Sequence, residues 1–82
     1  MTRAVDSKMV KAARVASGIT QERAAEIIDV STPTYIARER VPGAFTIDEL
    51  ASLYDEFSED GKRIVASFVS DIFLRQNVTL NI

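Results

Sequence analysis

The chain has 82 residues, 46% of them apolar, and a formal net charge of −2, which describes one small globular domain with a modest core and excludes a disordered segment. It contains no cysteine and no histidine, so disulfides, thiolate metal sites and the commonest general base are excluded and a cytoplasmic setting is expected. No apolar run approaches the roughly 20 residues of a membrane span, and the opening MTRAVDSKM has no apolar stretch of the secretory kind, so no membrane partner is expected.

Taken in order, the chain reads as five helices. Asp6 or Ser7 can cap a first helix running to about Ser17, with Met9, Val10, Ala12, Ala13 and Ala16 as its apolar stripe, and the five residues before Asp6 are expected to fray. Gly18 supplies the left-handed position that ends helices, and Ile19 stands where it can staple the start of the next one. Thr20 is a good N-cap, Gln21 opens helix two, and Ala24, Ala25, Ile27 and Ile28 give it an apolar side. Asp29 falls where that helix must stop, and Val30 plugs the turn. Ser31 caps helix three, and Pro33 sits in its first turn, where the missing N–H costs nothing. Two short, separately capped helices between Thr20 and Glu39 have the pattern of a helix-turn-helix.

Val41-Pro42-Gly43 is then a loop, anchored by Phe45. Thr46 with Glu49 three residues later reads as a capping box. It opens a fourth helix on which Ile47, Leu50, Ala51 and Tyr54 recur at steps of three and four, followed by Phe57. The fifth helix is expected from about Glu59 to Gln76, capped by Ser58 or Asp60. Its apolar stripe of Ile64, Val65, Phe68, Val69, Ile72 and Phe73, with Leu74 beyond, is too broad for one small body to cover. At about 25 cal/mol per Å2 of apolar surface, leaving two or three such side chains in water costs several kcal/mol. Self-association is the expected remedy, with Ile64, Phe68, Val69, Ile72, Phe73 and Leu74 at a dimer interface. The tail from Asn77 to Ile82 alternates Val78, Leu80 and Ile82 with polar residues and is strand-like.

Nothing in the sequence points to catalysis. There is no Gly-rich phosphate loop, and the neighbouring pairs Asp48/Glu49 and Asp55/Glu56 cannot converge, because adjacent side chains on a helix point in different directions. No enzyme activity, metal, cofactor or small-molecule ligand is therefore expected. Charge is uneven: residues 1–40 carry seven Lys and Arg against five acids, net +2, and residues 41–82 carry three against seven, net −4. Positive charge thus gathers on the half holding the paired short helices.

The ordered set Arg14-Val15-Ala16-Ser17-Gly18-Ile19-Thr20-Gln21, then Ala25, Val30-Ser31, Thr34 and Glu39, resembles the Cro/C1-type (XRE) helix-turn-helix family of phage repressors and bacterial regulators, over about residues 8–57. The resemblance implies an all-α, five-helix lambda-repressor-like domain with helices two and three as the helix-turn-helix and an extended C-terminal helix. It implies that Gln21 bonds a DNA phosphate and braces the recognition helix, and that Arg14 and Glu39 form a salt bridge between helices one and three. Helix three would lie in the major groove with Thr32, Pro33, Ile36, Ala37 and Arg40 facing outward, and Ser31 and Thr34 as phosphate or capping residues. Pro33, Ile36 and Ala37 offer contact to thymine methyls, and Arg40 reaches guanine or a phosphate. Three features depart from the family. Asp29 replaces the glycine usual in the turn, Arg38 stands where an aliphatic core residue is usual and would carry its head to a phosphate or an acid, and Pro42-Gly43-Ala44-Phe45 replaces the common turn.

The expectation is therefore a single domain over 1–82, with a DNA-binding core at 1–57 and a dimerisation helix and tail at 58–82. It would act as a homodimeric transcriptional regulator, of phage-repressor type, on near-palindromic, operator-like double-stranded DNA. The competing expectation is a protein-interaction module, such as an anti-repressor or antitoxin-like partner, working through the apolar last helix; the net charge of −2 favours it.

Overall fold

Each helix of the N-terminal two thirds begins at the polar cap that its sequence supplies, and those caps fix where the chain turns. The computed structural model describes residues 4–77, with side chains through Leu74. Helix α1 (Ser7–Ala16) starts where the Asp6 carboxylate accepts the Lys8 N–H at 2.9 Å. Helix α2 (Gln21–Ile27) starts at Thr20, whose hydroxyl accepts the Arg23 N–H at 3.0 Å. Helix α3 (Thr32–Arg40) starts at Ser31, whose hydroxyl accepts the Thr34 N–H at 3.3 Å. Helix α4 (Ile47–Glu56) carries the complete capping box of Thr46 and Glu49. Each such cap satisfies an N–H that the helix leaves without a partner and contributes about 1 kcal/mol. The turns between use left-handed backbone at Gly18, φ +70°, and at Asp29, φ 60°; aspartate tolerates that conformation better than most non-glycine residues.

The segment beyond Phe57 differs from its expected form. In place of one helix from Glu59 to Gln76, the chain forms α5 (Glu59–Ile64), a 3-10 turn (Ala66–Phe68) and α6 (Val69–Asn77). No proline or glycine lies at the break. Its cause is packing: α5 lies against α1, whereas α6 lies against α4. A straight rod cannot follow both, and a short tightened turn redirects it. The fold among the described residues is therefore all-helical, with six α-helices and not five. The strand-like reading of the tail lies outside the described residues from 78 onward.

The core is continuous through all of these elements. Val10 and Ala13 of α1, Ala24 and Ala25 of α2, Tyr35 of α3, Phe45, Leu50 and Leu53, and then Val65, Phe68 and Ile72 bury together. Tyr35 and Phe45 meet as a tilted aromatic pair, ring centroids 5.6 Å apart. Val5, expected to fray, is buried in the same cluster. The inward side of α1 is Ser7, Val10, Ala13 and Arg14, while Ala12 and Ala16 face solvent. Helix α1 turns that side inward because Arg14 has a carboxylate to reach beneath it.

One junction holds the two ends of the fold. The Ser17 hydroxyl donates to the Ala13 carbonyl at 2.7 Å and accepts the Ser58 N–H at 2.9 Å. Gly61, buried on α5, lies so close to α1 that an added Cβ would stand 2.3 Å from Ser17 Oγ and 2.8 Å from the Ala13 carbonyl oxygen. Only glycine permits this approach.

Candidate functional site

Helices α2 and α3 pack against each other across the four residues Ile28–Ser31. Their turn is tied by the Val30 N–H donating to the Ala25 carbonyl at 3.0 Å. Inside, the wholly buried Tyr35 anchors α3. The Ser31 hydroxyl also donates to Thr34 Oγ1 at 2.8 Å, so both side chains are engaged in the cap. On the outer side of α3, Pro33, Thr34, Ala37 and Arg40 are exposed, while Thr32 and Ile36 are half-buried. Ile36, expected to stand free in solvent, is thus partly covered.

A buried polar cluster fixes how α3 sits on α1 and α2. Arg14 Nε donates to Glu39 Oε2 at 2.7 Å and Nη2 to Oε1 at 3.3 Å, while Nη1 donates to the Ile19 carbonyl at 2.9 Å. Gln21 Nε2 donates to Glu39 Oε1 at 3.1 Å. The guanidinium and carboxylate meet in the paired, fork-like geometry that makes such contacts strong, and both side chains are withdrawn from solvent. Burial pushes the Glu39 carboxyl up, but hydrogen bonds from Arg14 and Gln21, the adjacent Tyr35 hydroxyl and the Arg14 charge outweigh it, so the group is held below its ordinary value. Arg14 behaves in mirror image: burial lowers it, and the Glu39 carboxylate more than restores it, leaving it raised. Tyr35 is pushed up, first by burial and then by the neighbouring Glu39 carboxylate. Its hydroxyl oxygen is buried beside the pair without a hydrogen bond of good geometry.

Arg38 is the second link. Its head pairs with Glu49, whose Oε1 also accepts the Thr46 N–H at 3.0 Å. Of the two destinations expected for Arg38, a phosphate or an acid, the structure joins it to the acid. Arg38 is accordingly a brace between α3 and the start of α4. Nothing local in the sequence marks the pairing, because Glu49 also completes the cap at Thr46.

The expected interface residues of the last helix divide. Phe68 and Ile72 are buried by their own chain, because the bend after α5 folds them onto the core, and Ile64 is half-buried against it. This removes Phe68 and Ile72 from any surface. Val69, Phe73 and Leu74 remain exposed, at 38%, 62% and 63%.

No group of acidic residues among those described is arranged to hold a metal ion. No described helix is long and apolar enough to cross a membrane. No family model, no curated protein and no solved structure matches the chain.

Proposed function

We propose that the chain is a sequence-specific double-stranded DNA-binding protein of the Cro/C1 helix-turn-helix kind, acting as a homodimeric transcriptional regulator, most simply a repressor. The observation that carries this reading is the contrast between the two sides of α3. Its inner side is clamped by Glu39 to Arg14 and Gln21 and by Arg38 to Glu49. Its outer side offers Pro33, Thr34, Ala37 and Arg40 to solvent. A helix held this rigidly and read from one side suits insertion into the major groove, where misplacement by an ångström loses base contacts.

In this reading Arg40 supplies hydrogen bonds to guanine or a phosphate, and Pro33, Ala37 and the uncovered part of Ile36 meet thymine methyls. Gln21, at the start of α2, turns its free carboxamide edge and the adjacent backbone N–H groups to a phosphate while keeping its bond to Glu39. Val69, Phe73 and Leu74 on α6 supply the apolar contact that pairs two copies, so that two α3 helices address half-sites about one DNA turn apart.

Selection of bound duplexes from a random pool tests the reading. The expected product is a near-palindromic site. Arg40→Ala should change which sequence is preferred, whereas Gln21→Ala should weaken binding to all sequences alike. Recovery of no preferred duplex would remove the proposal.

A second reading draws on the exposed Phe73 and Leu74 and the net acidic charge: an interaction module that captures another protein through α6. Salt separates the two. DNA affinity falls steeply with ionic strength as counterions are released, and an apolar protein contact does not.

A further inference from the structure

The chain's cations are not used alike. Among the described residues, Arg14 is paired with Glu39, Arg23 with Glu26 and Glu56, Arg38 with Glu49, Lys62 with Glu59 and Arg63 with Asp60. Lys8, Lys11 and Arg40 take part in no such pair, and all three are exposed.

These three are also neighbours. Lys8 and Arg40 line one cleft of about 440 Å3, formed where the start of α1 meets the end of α3 and the Pro42-Gly43 loop. Lys11 lies one turn beyond Lys8 on α1, and side chains three apart share a helix face. Two carboxylates reach the same cleft, Asp6 and Glu39. Glu39 is taken up by Arg14, and Asp6 accepts the Lys8 backbone N–H and forms no ion pair with Lys8, Lys11 or Arg40. Although the net charge is −2, among the described residues five cations are neutralised in place while three are left uncovered along one seam.

We infer that the seam formed by Lys8, Lys11 and Arg40 is the track for a DNA phosphate backbone, with Lys8 and Lys11 each holding one phosphate. The inference rests on the DNA-binding reading above and adds the position of the strand: it runs from the C-terminal end of α3 along the first two turns of α1. Arg40 belongs at once to the outer side of α3 and to this seam, so the strand it marks is one that borders the groove taken by α3. Lysine is suited to the role, because a mobile point charge follows a phosphate without demanding a fixed orientation.

The test is the salt dependence of binding to a duplex recovered by selection, for the wild type and for the K8Q/K11Q variant. Each phosphate contact contributes roughly 0.9 to the slope of log K against log salt. The double variant removes two contacts from each copy in the homodimer and is expected to lose about 3.6 from the magnitude of that slope, while keeping the same preferred sequence and an unchanged helical circular dichroism. K8R/K11R should keep the wild-type slope, and K62Q/R63Q, which removes cations that already have partners, should leave it unaltered. A wild type that binds its selected duplex with the same slope as K8Q/K11Q overturns the inference alone. A wild type that binds no duplex overturns the DNA-binding reading and this inference with it. Loss of binding to anionic lipid vesicles in K8Q/K11Q, with duplex binding intact, would assign the seam to a membrane surface and overturn it as well.

Discussion

The helices up to Glu56 and the segment after Phe57 are stabilised by different means. In the first region every helix starts at a side chain that closes its own backbone: Asp6, Thr20, Ser31 and Thr46. In the second, α5 has such a cap at Ser58, but the 3-10 turn that follows Val65 has none. What holds the bend is the burial of Val65, Phe68 and Ile72 against the rest of the protein. The first region is locally determined and then locked by ion pairs. The second takes its shape from what it covers. Polar clamps fix orientation, and apolar burial fixes only that something is covered, which is why α3 can be held for reading and α6 can be left with an apolar side outward.

The sharpest break of that contrast is Arg14→Ala. It strands the Glu39 carboxylate beneath α1, and loss of one member of a buried pair costs about 3–5 kcal/mol. Urea unfolding should show a loss of that size, and the R14M/E39M double variant should recover most of it; a loss below about 1 kcal/mol would mean the pair does not orient α3. Gly61→Ala probes the other region. Its Cβ meets a backbone carbonyl that cannot retreat, so overpacking should cost about 1–3 kcal/mol. An unchanged urea midpoint would show that α5 does not lie tight on α1.

Acid unfolding sharpens the comparison further. The folded Glu39 carboxyl sits below its ordinary value of 4.5, so the carboxylate is favoured by folding. Its stabilising contribution is complete above the unfolded value and is lost as pH falls through the lower folded value. Thermal midpoints measured from about pH 6 downward should drop for the wild type and drop less steeply for Glu39→Gln; parallel curves would exclude this carboxylate as the source. The smallest effect belongs to Leu74→Ser. With the side chain 63% exposed, stability should change by no more than about 0.5 kcal/mol, while light scattering at tens of micromolar should show a smaller dimer fraction. A wild type that is monomeric there removes the dimer contact assigned to α6.

What could be read from the residues follows the same division. Caps and left-handed turns were legible because each depends on neighbours within three or four positions: Thr20 on Arg23, Thr46 on Glu49, Asp29 on its own backbone. The contact of Arg14 with Glu39, 25 positions apart, was suggested by family resemblance and by nothing local. The pairing of Arg38 with Glu49 was not legible, since Glu49 already satisfied a local rule. The bend after Val65 was invisible, because periodicity through Ile64, Phe68 and Ile72 is the same for a straight helix and a bent one. The outward side of α3 was only partly legible: Pro33, Ala37 and Arg40 are exposed as their positions suggest, and Ile36 is not fully so.

The junction of Ser17 with Ser58 and Gly61 has a consequence for the order in which the protein acquires its shape. The partners lie 41 positions apart, so α1 gains its contact with α5 only after the helices between have been made. During synthesis, α2, α3 and α4 leave the ribosome before the residues that seat α1 on α5. Pairing across so long a separation slows folding relative to a bundle of neighbouring helices. A nascent or truncated chain ending before Gly61 would carry α3 with its clamps to Arg14, Gln21 and Glu49 and lack the seat of α1 on α5, so α1 would be held from one side alone.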